Sequence, residues 1–338
     1  MRAYGRRKVL ALAAGLLAAV TACTGDVQPA STRSAAAPTA TPSPPPAELA
    51  VTRAEAAEAF TRITLTDNRL RVENELDGRL VLASDLMTGG QAQLTVAAYL
   101  STGFAPHRYR WGAPTLYVPR FPQSEKAPWF SALATRDGRP TLLTFAKSDA
   151  WRLSSAAELL PGQRLPEIKL DADGYAAPVP PDDKTVTISP QYMGPVHASV
   201  AETGTAGVTA GLVADGPYTT EVAEQIATLR AQSKVDGLSY DSIFSADNYP
   251  VYGLRTADGG ALIQYSLSRN TTTKNMTDES YIIPVPKEAS WALTDASVPR
   301  SLKLTEIHQY ATAVPPLSAP APAAVIAHDS ALTRAIGD

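Results

Sequence analysis

The chain has 338 residues and a mass of 35.7 kDa, with 44% hydrophobic, 19% charged and 7% aromatic side chains, a balance that excludes a fully disordered polypeptide. Its 28 prolines, about 8% against a usual ~5%, argue against a helical bundle, a coiled coil or a multispan membrane protein, because proline interrupts long helices and central strands. A net charge of −3 gives nucleic-acid binding no electrostatic support, and a single cysteine excludes a disulfide framework and a multi-thiolate zinc site.

Residues 1–22 read as a signal peptide. Arg2, Arg6, Arg7 and Lys8 precede an apolar run from Val9 to Val20, followed by Thr21, Ala22 and Cys23. Twelve helical residues rise only about 18 Å, short of the ~30 Å hydrocarbon core. Val20-Thr21-Ala22-Cys23 resembles the lipobox of bacterial lipoproteins, which makes Cys23 the expected lipid attachment site, with palmitate-type acyl chains, and the mature N-terminus. Arg6-Arg7 fits a twin-arginine signal as well as an ordinary Sec leader, and the motif leaves both open. Cleavage removes four of the 30 basic side chains, leaving 26 against 33 acids, a net of −7.

Residues 23–46 form a lipidated Pro/Ala/Ser/Thr-rich tether that cannot bury a core. Two α+β domains are expected beyond it, at 47–175 and at 176–338 with the connection and a C-terminal tail. Thr52-x-x-Glu55 is a capping box for a helix with Ala57, Phe60 and Ile63 at helical spacing, and a second helical stretch runs from Leu80 to Leu100, interrupted at Gly89-Gly90. Short β-type runs follow at 116–119, 129–135, 141–145 and 151–156, with Asp137-Gly138 as a hairpin signal. The second half repeats the order: a helix over 219–233, strands over 251–256 and 261–267, and the turn Asp258-Gly259. Helices followed by antiparallel meanders give the class α+β. The polar insertion RNTTTKNMTDES reads as a mobile loop, and 315–338 as either a closing strand pair or a frayed tail.

LATRDGRPTLLTF (133–145) matches LRTADGGALIQY (254–265) with one deletion at the turn, and each half carries a W-x-L, at Trp151 and Trp291. This suggests a duplicated unit. The run from Tyr117 to Leu153, with LPEIKLDADGYA (165–176), resembles an uncharacterised family of actinobacterial lipoproteins carrying a domain of unknown function. The resemblance implies helices packed on a curved antiparallel sheet, similar to the cone-shaped nuclear-transport-factor-like (SnoaL-like) fold, present twice. No activity comes with it.

No serine-hydrolase elbow, zinc helix or phosphate-binding glycine loop is present, so no catalytic, metal or cofactor residue is assigned and no cofactor is expected. Asp171-Ala172-Asp173-Gly174 lacks the spacing of a calcium loop, and HRYRW (107–111) alternates cations with aromatics on an acidic chain. In the strand SLKLTEIHQYATAV (301–314), period two places Glu306, His308 and Tyr310 on one face. Together with Trp129 and Phe145 these are the pocket candidates. The sequence is therefore read as an exported, lipid-anchored envelope protein on the outer face of the cell membrane. Its expected role is a noncatalytic binding or interaction module, meeting the membrane through Cys23 and an envelope protein or small apolar ligand through its folded part, with no nucleic acid. A SnoaL-like isomerase or hydrolase and a transporter's solute-binding lipoprotein stand as alternatives.

Overall fold

A computed structural model describes residues 48–71, 78–277 and 282–338. The signal peptide, Cys23 and the tether lie outside the described residues.

Helix α1 (Arg53–Leu70) starts where the capping box puts it: Thr52 is extended, and its hydroxyl accepts the Glu55 N–H at 3.1 Å. The Glu55 carboxylate also accepts from Lys147 Nζ at 2.8 Å and Trp151 Nε1 at 2.9 Å, so the cap fixes the helix to the sheet. The interrupted second stretch is two helices, α2 (Gly78–Asp85) and α3 (Gly89–Ser101). Gly89 takes φ +56°, a conformation that favours glycine. Gly90 lies so close to the sheet that a Cβ there would sit 2.8 Å from Ser266 Oγ and 3.2 Å from Ile307 Cγ2.

The strands are β1 (Thr115–Tyr117), β2 (Trp129–Arg136), β3 (Arg139–Lys147), β4 (Trp151–Leu159), β5 (Leu238–Ser245), β6 (Tyr252–Arg255), β7 (Ala261–Asn275), β8 (Ile283–Pro284), β9 (Ser297–Val298), β10 (Ser301–Val314) and β11 (Ala324–Gly337). Helices α4 (Pro190–Thr203) and α5 (Thr220–Val235) precede β5. The class is α+β, with one large antiparallel sheet in the order β1-β2-β3-β4-β11-β10-β7-β5, with β6 also paired to β7. The position between residues 175 and 176 lies in the connection from β4 to α4, and strands from both sides of it share that sheet.

One expectation changes and one open alternative is decided. The polar stretch read as a loop is strand as far as Asn275: Asn270–Lys274 pair with β10 on one side and β5 on the other. Its threonines suit a pleated surface, but its polarity hides the alternation that marks a strand. The segment after 315, open between a closing strand pair and a frayed tail, contains the strand β11, which lies between β10 and β4. The β10–β11 register shifts between Thr305 and Glu306 and again between Ala311 and Thr312, bending the ladder. Trp291, unlike Trp151, lies in a turn and not in a strand.

Each half has an apolar core. One gathers Phe60, Phe130, Phe145 and Trp151 under α1, and the other Met193, Ile226, Tyr265 and Tyr310 under α4 and α5. A third, containing Leu142, Leu254, Leu262 and Ile326, joins them. Between the halves runs a buried polar seam. Thr144 donates to Gln264 Oε1 at 2.5 Å, Gln264 Nε2 donates to Ser131 at 2.8 Å, and Gln309 Oε1 accepts the Ala156 N–H at 2.8 Å.

Candidate functional site

The face of β10 that carries Glu306, His308 and Tyr310 lies under α4 and α5 as packed interior. Tyr310 is buried, with its ring centroid 4.4 Å from that of His197 and 4.9 Å from that of His328. His197 of α4 joins the turn before α5 to the sheet: its Nε2 lies 2.7 Å from the Tyr218 carbonyl and its Nδ1 2.7 Å from the Tyr265 hydroxyl of β7. A carbonyl only accepts, so Nε2 carries the proton and Nδ1 accepts from Tyr265, whose oxygen takes the Thr312 hydroxyl at 2.8 Å. Burial pushes His197 down to about 4, His308 to about 3 and His328 to about 4. All three rings are neutral at neutral pH. His308 Nδ1 and His328 Nε2 share one proton across 3.0 Å, and His308 Nε2 is buried with no hydrogen-bond partner. Glu306 is half-buried, 3.6 Å from Arg269.

Sequence spacing gave no sign of this cluster, because three distant histidines meet only through the packing of α4 on β7, β10 and β11. Among the described residues, no group of three or more His, Cys, Asp or Glu is placed to hold a metal ion. Phe145 is core, stacked on Phe130 with centroids 4.8 Å apart. Trp129 borders a separate cavity of about 310 Å³ with Phe121, Pro180 and Val251. Asp171 and Asp173 both accept from Arg120, at 2.5 Å each, which commits the Asp-x-Asp segment to an ion pair.

A further opening is on the opposite face of β10. A cleft of about 630 Å³ lies between α3 and the sheet. Ala92, Gln93 and Val96 form its helical wall, and the strand positions Ser268, Asn270, Thr305 and Ile307 form its floor. Ser268 and Ile307 are cross-strand partners, as are Asn270 and Thr305, so the floor is one continuous strip. The loop residues Asp247 and Tyr249, with Arg334 of β11, complete the rim. Its polar groups hold one another: Gln93 donates to the Tyr249 hydroxyl at 2.8 Å, Thr305 to Asn270 Oδ1 at 2.9 Å, and Ser268 to Asp247 at 2.5 Å. Such fixed donors and acceptors suit noncovalent recognition of a ligand with polar groups. The sequence signal was the other half of the 301–314 alternation, Thr305 and Ile307.

No solved structure matches the chain. An uncharacterised lipoprotein of Streptomyces coelicolor is 30% identical over 98% of this chain and 95% of its own length. A second from the same organism is 29% identical over 75% of this chain and 77% of its own length. An uncharacterised lipoprotein of Streptomyces avermitilis is 32% identical over 40% of each chain. The model of a domain of unknown function, DUF8094, matches residues 47–337, and the chain, with the antiparallel sheet and α3 cleft that fill that span, belongs to this family.

Proposed function

We propose that the protein is an exported lipoprotein, held to the outer face of the cell membrane by a lipid on Cys23, whose folded part is a noncatalytic binding module. The lipobox and the names of the relatives support the anchor. The observation that carries the binding role is the α3 cleft, where Gln93, Tyr249, Asn270 and Thr305 are oriented by bonds among themselves before any ligand arrives. Pre-set polar groups lower the ordering cost of binding. Native mass spectrometry of the full chain from its own membranes tests both parts. The expected result is a diacylated N-terminal Cys23 and a bound small molecule that is lost when Val96→Trp fills the cleft. An unmodified N-terminus overturns the anchor, and a ligand load indifferent to Val96→Trp overturns the cleft.

We also infer that the two halves are duplicated cone-shaped units of the SnoaL-like type. The hairpin registers support this: Leu133 faces Leu142 and Leu254 faces Leu262, at the offsets of the sequence repeat. An experimental structure in which α1–α3 and α4–α5 take different positions on their superposed hairpins would end this reading.

A further inference from the structure

A second cleft, of about 630 Å³, lies where residues 107–110 meet the β2–β3 turn. On a chain whose net charge is −3, it is lined by four arginines. Its carboxylates are already engaged. Asp329 accepts from Arg136 at 2.8 Å, Glu158 from Arg139 at 3.0 Å, and Asp137 from the Arg110 backbone N–H at 2.8 Å, with the His107 ring 3.1 Å away. The guanidiniums of Arg108 and Arg110 make no hydrogen bond or ion pair among the described residues. Their two-residue spacing in an extended segment puts them on one side of it.

The walls are held in place. The Asp137 N–H donates to the Arg110 carbonyl at 2.9 Å, and the Gly112 N–H to the Thr135 carbonyl at 2.9 Å, which fastens the segment to the end of β2. The Tyr109 ring has Arg71 4.5 Å from its centroid and Arg136 at 5.2 Å, and the rings of His107 and Trp111 meet it edge-on at 5.7 Å. Asp137 and Gly138, at φ +54° and +86°, close the hairpin tightly, so Arg136 and Arg139 are direct cross-strand partners. The Arg139 side chain is 70% exposed, and an exposed ion pair is weak enough to exchange for a ligand.

We propose that this cleft binds the phosphate group of a hydroxyl-bearing ligand, with Arg108, Arg110 and Arg139 as its donors. An arginine fork matches phosphate or carboxylate oxygens two at a time. Three forks offer more donors than the two oxygens of one carboxylate can pair, whereas a phosphomonoester presents three terminal oxygens. The volume exceeds a bare ion, and Asp137 and Glu158 at the wall can accept from neighbouring hydroxyls. A phosphomonoester carried on a lipid headgroup and a soluble phosphate monoester share this chemistry.

The test uses the full chain in nanodiscs and does not depend on the α3 cleft. In phosphatidylcholine discs, calorimetric titration with pyrophosphate at fixed ionic strength reads soluble phosphate. In discs containing phosphatidylinositol 4-phosphate, whose inositol carries a phosphomonoester beside free hydroxyls, hydrogen exchange across residues 107–112 reads the headgroup. We expect binding or protection in at least one arm, weakened at least about tenfold in the Arg108→Gln/Arg110→Gln double variant and unchanged in Arg230→Gln, an exposed arginine on α5 outside both clefts. The arm that responds identifies the source. No response in either, or a double variant equal to the wild type, overturns the proposal. Both substituted side chains are exposed, and an unchanged unfolding midpoint verifies that the fold is kept.

Discussion

Thr144 and Gln264 occupy equivalent places in the two repeated segments, 120 positions apart, and their side chains meet: the threonine hydroxyl donates to Gln264 Oε1 at 2.5 Å. Gln264 passes the contact on to Ser131, whose hydroxyl lies 3.0 Å from that of Thr144. The triangle is closed, buried and free of water-facing groups, and it ties β2 and β3 to β7. Removing one corner leaves the other two with unmet hydrogen bonds in a low-dielectric seam.

Gln264→Leu is therefore expected to destabilise the protein by about 1–3 kcal/mol, read as a lowered denaturant midpoint. The triple change Thr144→Val, Ser131→Ala, Gln264→Leu should recover part of that loss. A triple variant worse than the sum of its single changes would show that the seam does not act as a unit.

Stability should depend on pH through the buried histidines. Each folded pKa is depressed, to about 4 for His197 and His328 and about 3 for His308, while an unfolded histidine titrates near ~6.5. Above that value both states are neutral and nothing is lost. Below it the unfolded chain takes up protons that the folded one refuses, so stability falls from about pH 6.5 toward pH 4. For His197 alone the loss is on the order of 3 kcal/mol. Thermal midpoints measured at pH 7, 6, 5 and 4.5 should decline steadily, and His328→Phe should flatten the slope. A pH-independent midpoint over that range would contradict the neutral cluster.

Gly90 sets how closely α3 approaches the sheet. Gly90→Ala brings a Cβ to 2.8 Å from Ser266 Oγ and 3.1 Å from Ser266 Cβ, so the helix must lift or the strand must shift, at a cost of about 1–3 kcal/mol. Ser266→Ala removes the closer of the two contacts and should restore part of the lost midpoint. The same pair of variants shows whether the α3 cleft tracks the height of the helix.

Thr52→Ala should lower stability by about 1 kcal/mol through the lost cap. Glu55→Gln should weaken the attachment of α1 to the sheet, since the carboxylate receives Lys147 and Trp151. Its pKa is lowered, with burial opposing and the bonds from Lys147 and Trp151 outweighing it, so the carboxylate's share of this joint is lost as pH falls below the usual glutamate range. The part of the tryptophan emission that is lost in Trp151→Phe, compared with and without Glu55→Gln, reports on the joint.

Local chemistry made some of this architecture readable. Asp137-Gly138 and Asp258-Gly259 mark their turns, Thr52 marks the start of α1, and the whole of β10 was bounded by its alternation. What was not readable depends on distant partners. Residues 270–274 look like a loop until β5 and β10 pair with both their edges, and β5 itself carries Asp241 and Ser242 amid its apolar residues. Alternation placed Glu306, His308 and Tyr310 on one face and Thr305 and Ile307 on the other. It could not say that α4 and α5 would cover the first and α3 would arch over the second, because helix docking is decided by shapes that meet only in three dimensions.

The place of β11 has a consequence for biogenesis. It meets β4 through Leu159 and Ala327, and Glu158 and His328, so β4 waits through some 168 further residues for its neighbour. At synthesis rates of about 5–20 residues per second, that is roughly 10–30 s with the Leu159 end of this edge bare, while Leu153 is already bonded to Leu86 and Thr88. During this interval that end of β4 is open to pairing with another chain, until residues 327 and 328 emerge.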